Sequence, residues 1–167
     1  MHSQQIYDAD DGSELLMIRL TPEAISNTWP DLRVTIESAL APISDPMKSM
    51  KRREHILESL LSGKFMCHSF YKMIDGNPYA FGVVVTTVIF DLDNGEEILL
   101  IYAVYGHPKY VTGDYAEKFF NKMKEFATGI GCKKIMAYSN IKEVINAVKR
   151  LGGSADYTLL SLEVKNE

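Results

Sequence analysis

The chain is short of several things, and each shortage excludes a class of protein. Its 167 residues hold two cysteines, Cys67 and Cys132, with neither CxxC spacing nor histidines clustered near them. A disulfide framework and a zinc site therefore drop out of the reading, which expects no bound metal and two buried thiols. There is no excess of positive charge: 18 Lys and Arg against 22 Asp and Glu leave a formal charge of −4. The basic residues are interspersed among the acids, so the chain offers no field for nucleic acid or for an anionic membrane, and neither is expected as a partner. No run is long and apolar enough to span a bilayer. The best, Tyr79–Phe90, contains Gly82, Thr86 and Thr87 and lies deep in the chain, so it reads as a buried strand and not as a signal or anchor. Internal repeats and low-complexity tracts are missing too. So are GxxxxGK[ST], HExxH and GxSxG, which leaves NTPase, zinc protease and hydrolase chemistry unsupported.

What is present is the composition of one globular domain, 46% hydrophobic and large enough to bury a core. The polar, acidic start around DADDG predicts an N-terminal arm over 1–13, followed by a single soluble domain over 14–167, expected in the cytoplasm. Glu14–Leu20 reads as a first strand. Thr21-Pro22-Glu23 then opens a helix, with Thr21 as N-cap, Pro22 in the first turn and Glu23 at the positive end. Ile25, Trp29, Leu32, Ile36 and Leu40 keep helical spacing, and Pro30 predicts two pieces with a break near Asn27–Trp29. Lys51–Leu61 is a helix stopped by Gly63, its KRRE start a solvated face. Lys64–Ile74 and Pro78–Asp91 form a hairpin around Asp75–Asn77, and Asp93-Asn94-Gly95 turns the chain into the next strand.

The most informative stretch follows: strand Glu96–Gly106, the loop HPKYVTGD, helix Tyr115–Thr128 and strand Cys132–Ser139. A buried strand that feeds a helix through a loop of glycine and small polar residues can aim backbone N–H groups at an anion. Helix Ile141–Leu151, stopped by Gly152-Gly153, and an alternating strand Asp156–Val164 complete the order β, α, α, β, β, β, α, β, α, β.

From about Glu14 to Val164 this order resembles the Gcn5-related N-acetyltransferase (GNAT) superfamily. The resemblance implies an α+β fold: a mixed, mostly antiparallel sheet of about six to seven strands flanked by about four helices. It also implies a splayed gap after the fourth strand, with acetyl-CoA held through its pyrophosphate by the loop and helix start. On this chain those positions are Val104, Gly106, Thr112, Gly113, Tyr115 and Ala116, with Asn140 after the fifth strand. The family's loop resembles Gln/Arg-x-x-Gly-x-Gly/Ala ahead of an apolar pair. With Phe119-Phe120 as that pair, Ala116 fits the last small position, Asp114 stands where a glycine is usual, and Val111 stands where Gln or Arg is usual. A carboxylate there opposes a diphosphate, and Asp114 also reads as the N-cap of its own helix. Gly113 supplies the glycine if the register shifts by one. The family's tyrosine, four residues before a Gly-Phe pair, is matched by Val148, with Gly152-Gly153 as the pair. A valine donates no proton, so that acid is missing. Asn140 resembles an asparagine common in the family and equally reads as a helix N-cap.

Acylating an amine needs a base for the ammonium proton, a donor at the thioester oxygen and a proton for the thiol. His107, Tyr105 and Tyr138 are the catalytic candidates nearest the gap. Tyr102 and Ser139 lie close by, Glu96 and Glu97 stand at the strand's far end, and His68 reads as a core or surface residue. Two functions follow from the resemblance. One is an acyl-CoA-dependent N-acyltransferase with a drifted cofactor loop, transferring acetyl to a small-molecule or peptide amine. The other is a non-catalytic module that no longer binds coenzyme A, such as a phage virion component, working through a protein partner or as a homo-oligomer. A gap closed by Tyr102, Tyr105 or Tyr138 would point away from the enzyme, and the module predicts an exposed apolar patch or partner interface through the Met1–Gly12 arm or the Trp29 helix.

Overall fold

The computed structural model describes residues 15–39, 49–106, 114–139 and 141–157, together with 160, 162 and 164. The expected arm over 1–13 lies outside them. One five-stranded sheet runs in the order β1-β2-β3-β4-β5, with β1 Leu15–Arg19, β2 Phe65–Ile74, β3 Asn77–Phe90, β4 Glu97–Gly106 and β5 Lys134–Ala137. The first four are antiparallel neighbours. β5 lies parallel to β4 and is reached through helix α3, Asp114–Gly129, because a parallel neighbour needs a crossover.

Helices cover both faces. On one, Ile25, Leu32 and Ile36 of α1 (Pro22–Ala39) and Ile56 and Leu60 of α2 (Ser49–Leu61) pack on Phe65, Cys67, Val85 and Ala103. On the other, Ala116, Phe120, Met123 and Ala127 of α3 and Ala147 of α4 (Lys142–Arg150) pack on Phe70, Val84, Leu99 and Ile101. This alternation along the strands is the period-two pattern that separates the two cores.

Local chemistry sets the boundaries. The Thr21 hydroxyl accepts from the Ala24 N–H at 3.2 Å, the cap expected from sequence. The β2–β3 hairpin closes between Ile74 and Asn77, with Asp75 and Gly76 at φ 50° and 78°, a two-residue turn whose positive angles suit Gly and tolerate Asp. α4 ends in a Schellman motif. Gly152, at φ 82°, donates to the Lys149 carbonyl and Gly153 to the Val148 carbonyl.

Two expectations are corrected. Pro22–Ala39 is one helix and not two pieces, although Pro30 lies inside it. Proline removes one backbone donor and crowds the turn before it. Here Ile25, Leu32 and Ile36 all bury on the sheet, and their burial keeps the two halves of the helix in register across the defect. Among the described residues the sheet also has five strands where six to seven were expected. Of the strand expected over Asp156–Val164, residues 156, 157, 160, 162 and 164 are described and none is in a strand; the rest lies outside the described residues. Tyr157, Leu160, Leu162 and Val164 are exposed. An alternating pattern supplies one apolar face, and only pairing with a sheet edge turns it into a strand.

Candidate active site

The site begins with a defect in β4. Opposite β3, Val85 pairs with Ala103 and the next residue, Thr86, pairs with Ile101, so Tyr102 is the extra residue of a β-bulge. A bulge bends its strand and strengthens the local twist. Pairing with β5 stops at the same place, the last partners being Ile101 and Ala137. β4 continues to Gly106 with β3 on one side and, among the described residues, no strand on the other. The result is a wedge-shaped gap between the ends of β4 and β5.

The gap is not closed by tyrosine side chains. Tyr102 is half-buried with its ring 4.8 Å from that of Phe65, on the α1/α2 face, and is a packing residue. Tyr105 and Tyr138 keep 40% and 48% exposure, and Val104 keeps 41%, so none of the three is packed into the wedge. Because Tyr105 stands opposite Val83, which packs with α1 and α2, its side chain projects to the α1/α2 face; Val104, opposite Val84, projects to the α3 face. β3 approaches this part of β4 closely. A Cβ added at Gly82 would lie 2.8 Å from the Tyr105 carbonyl oxygen, closer than side-chain carbons come to backbone.

The helix that follows starts at Asp114, one residue earlier than expected. Its first turn places Tyr115 and Ala116 against the sheet, both buried, with the Tyr115 ring edge-on to Phe81 and the Lys72 and Lys118 ammonium groups over its face at 5.9 and 5.2 Å. Val111, Thr112, Gly113 and His107, the Asp114 side chain and Asn140 lie outside the described residues. Across the wedge, Ile141 is the N-cap of α4 and makes no side-chain cap bond, while the Ser139 hydroxyl accepts the Ile141 N–H at 3.1 Å. Of the candidates, Val104, Tyr105, Gly106 and Tyr138 therefore flank the wedge, and Tyr115 and Ala116 open the helix behind it.

Coenzyme A fits the described part of this wedge in one respect. Its pantetheine arm carries amides, and the edge of β4 from Val104 to Gly106, which among the described residues has no second strand partner, presents backbone groups that two-sided pairing would otherwise occupy. Among the described residues no group of three metal-ligating side chains occurs.

Sequence reasoning missed the bulge, since nothing in EEILLIYAVYG marks Tyr102 as the residue that leaves the ladder. It also left the facing of His68 open. His68 is buried against Phe126, with ring centroids 4.5 Å apart, and its Nδ1 has no partner among the described residues; the same holds for Thr86 Oγ1 on the same sheet face. Burial, with the Arg19 charge second, pulls its pKa from 6.5 to about 4. The thiols are free and buried as expected. Burial pushes Cys67 up to about 12, and burial followed by the Glu97 charge raises Cys132. An apolar cavity of about 380 Å³ lies at the opposite end of the sheet, between the start of α1 and the end of α2, and takes no part in the wedge.

No family model matches the chain, and no curated protein is similar to it. Solved structures are. The protein AAC(6')-Iy, in complex with the bisubstrate analogue CoA-S-monomethyl-acetylneamine, superposes with a TM-score of 0.58 at 15% identity, over 92% of this chain and 100% of its own. An aminoglycoside acetyltransferase from an uncultured soil metagenomic sample, in complex with sisomicin, gives 0.60 at 13% identity, over 92% and 97%. A GNAT family acetyltransferase from Staphylococcus aureus gives 0.59 at 13% identity, over 90% and 99%. The chain has the fold of these acetyltransferases.

Proposed function

We propose that this GNAT-fold chain is an acyl-CoA-dependent N-acyltransferase that moves an acetyl group from acetyl-CoA to a small-molecule amine. The observation that carries the reading is the open wedge: the β4 bulge at Tyr102 coincides with the end of β5 pairing, and the exposed Tyr105 and Tyr138 are not packed into the space between the strands. Among the described residues the β4 edge from Val104 to Gly106 has no second strand partner, which leaves its backbone groups available to a ligand.

In this reading Val104 and Gly106 hold the pantetheine arm through the β4 backbone. Thr112, Gly113, Tyr115 and Ala116 hold the pyrophosphate at the start of α3, where free N–H groups and the helix dipole favour negative charge. Asn140 bounds the far side. Bound acetyl-CoA supplies a thioester carbonyl and a thiol leaving group. His107 takes the proton from the incoming ammonium, and Tyr105 and Tyr138 donate hydrogen bonds at the developing oxyanion and protonate the departing sulfur. Amine nitrogen gains a bond to the acetyl carbon and the carbon–sulfur bond breaks; nitrogen gives up two protons, one to His107 before attack and one as the tetrahedral intermediate collapses, and the second replaces the proton that a tyrosine hydroxyl delivers to sulfur.

The test is a thermal-shift titration with acetyl-CoA. A ligand that binds the native state alone stabilises it by about 2.7 kcal/mol at about 100 times its Kd. A melting temperature that rises with acetyl-CoA concentration is expected; an unchanged one at millimolar acetyl-CoA removes the acyl-transfer reading.

A further inference from the structure

We propose that the segment after α4, Asp156–Val164, is a strand that each copy of this chain adds to the β5 edge of a second copy, so that two copies form a symmetric dimer. Tyr157, Leu160, Leu162 and Val164 are 95%, 88%, 92% and 87% exposed. Leu160, Leu162 and Val164 stand at every second position and share one face of an extended chain. Large apolar side chains this exposed, one beside the next, mark a surface that a partner covers.

The sheet offers the complementary feature. Among the described residues β4 is the one strand partner of β5, so the outer backbone groups of β5 are open to a further strand. The chain around this edge is apolar too. Ile135 and Met136 of β5 are half-buried, Tyr138 directly after it is 48% exposed, and Ile130, just before it, is 37% exposed. Charge matches as well. DYTLLSLEV holds two carboxylates, Asp156 and Glu163, and no base, whereas KKIMAYS holds two bases, Lys133 and Lys134, and no acid. Both lysines are exposed. Glu97 of β4 stands beside Gly131 and Cys132, and Glu143 belongs to the first turn of α4, so neither lies on the β5 strand itself. Opposite charges on two neighbouring strands favour this pairing over others.

The cover comes from a second copy because the segment's own chain does not provide it. Every described residue from Gly152 to Tyr157 is exposed, as are Leu160, Leu162 and Val164, and none of them is in a strand. Each chain thus carries one uncovered strand sequence and one uncovered edge. Two copies related by a two-fold axis satisfy both at once, and the exchange closes with neither left over. A different protein that covered the segment would leave the β5 edge open.

The experiment is sedimentation velocity over a concentration series, on the wild-type chain and on Leu160→Lys and Leu162→Lys, with hydrogen exchange of the β5 amides. The wild type is expected to sediment as two chains and to dissociate to one on dilution. Either substitution is expected to weaken the dimer at least about tenfold, because a charge replaces an apolar side chain that the second copy buries beside Lys133 and Lys134. Both positions are exposed in the single chain, so its circular dichroism is expected to stay the same. The β5 amides that do not bond β4 are expected to exchange at least about tenfold faster in the variants. A wild-type chain that sediments as one copy at every concentration overturns the proposal; protected outer β5 amides in that monomer would put the segment on its own sheet. A dimer of undiminished affinity in both variants, or one whose outer β5 amides are unprotected, puts the interface elsewhere and overturns it too. Acetyl-CoA binding is read separately by the thermal shift and stands or falls apart from these outcomes.

Discussion

At the scale of single residues, His68 and Gly82 make sharp predictions. His68 is buried with an unpartnered Nδ1 among the described residues, and its pKa lies at about 4 in the folded chain against 6.5 when exposed. A depressed folded pKa means that the unfolded chain binds the proton first, so the associated stability is complete above about 6.5 and is lost as pH falls towards about 4. Denaturant melts of the wild type and of His68→Leu over this range are expected to diverge, with the wild type losing stability faster on the acid side. Parallel curves would show that another group governs the acid limb. Gly82 makes a steric prediction instead. With 2.8 Å between an added Cβ and the Tyr105 carbonyl, Gly82→Ala must push β3 and β4 apart, and a loss of about 1–3 kcal/mol is expected in urea melts. The sequence contained both residues plainly. It gave no sign of which face His68 takes or how near β4 comes to Gly82, because both depend on register between strands.

At the scale of elements, the helices show local signals overruled by packing. Thr21, Pro22 and Glu23 announced where α1 begins, and Gly152-Gly153 announced where α4 ends, since caps and left-handed turns act within a few residues. Pro30 announced a break that does not occur, because three buried side chains spread along α1 anchor both halves of it to the same sheet. Pro30 is exposed, and a proline within a helix leaves one backbone carbonyl without its intrahelical donor. Pro30→Ala is expected to raise the melting temperature and to add up to about 3 kcal/mol of stability. A lower melting temperature in that variant would overturn the view that Pro30 weakens the helix interior. The strands show the reverse relation. Alternation in β2, β3 and β4 read correctly, whereas the same alternation after α4 does not yield a strand among the described residues.

At the scale of the whole molecule, two cores share one sheet. Ile56 of α2 and Met123 of α3 pack on opposite faces of the sheet, each almost fully buried. Each truncation to alanine is expected to cost about 2–5 kcal/mol. Because both faces rest on the same five strands, both variants should shift one cooperative transition; separate transitions by tryptophan fluorescence and circular dichroism would show that the two layers unfold independently. Apart from the break expected in α1 and the strand expected after α4, the order of strands and helices, the β2–β3 turn and the caps at Thr21 and Gly152-Gly153 were legible in the sequence, because hydrophobic period and turn chemistry are properties of neighbouring residues. The wedge was not. It exists because a bulge at Tyr102 meets the end of a four-residue β5 at Ala137, and a coincidence between two strands distant in the chain is decided only when the sheet is assembled. The tertiary structure likewise decided that the tyrosines flank this opening without filling it, which is the physical ground for reading the molecule as an enzyme.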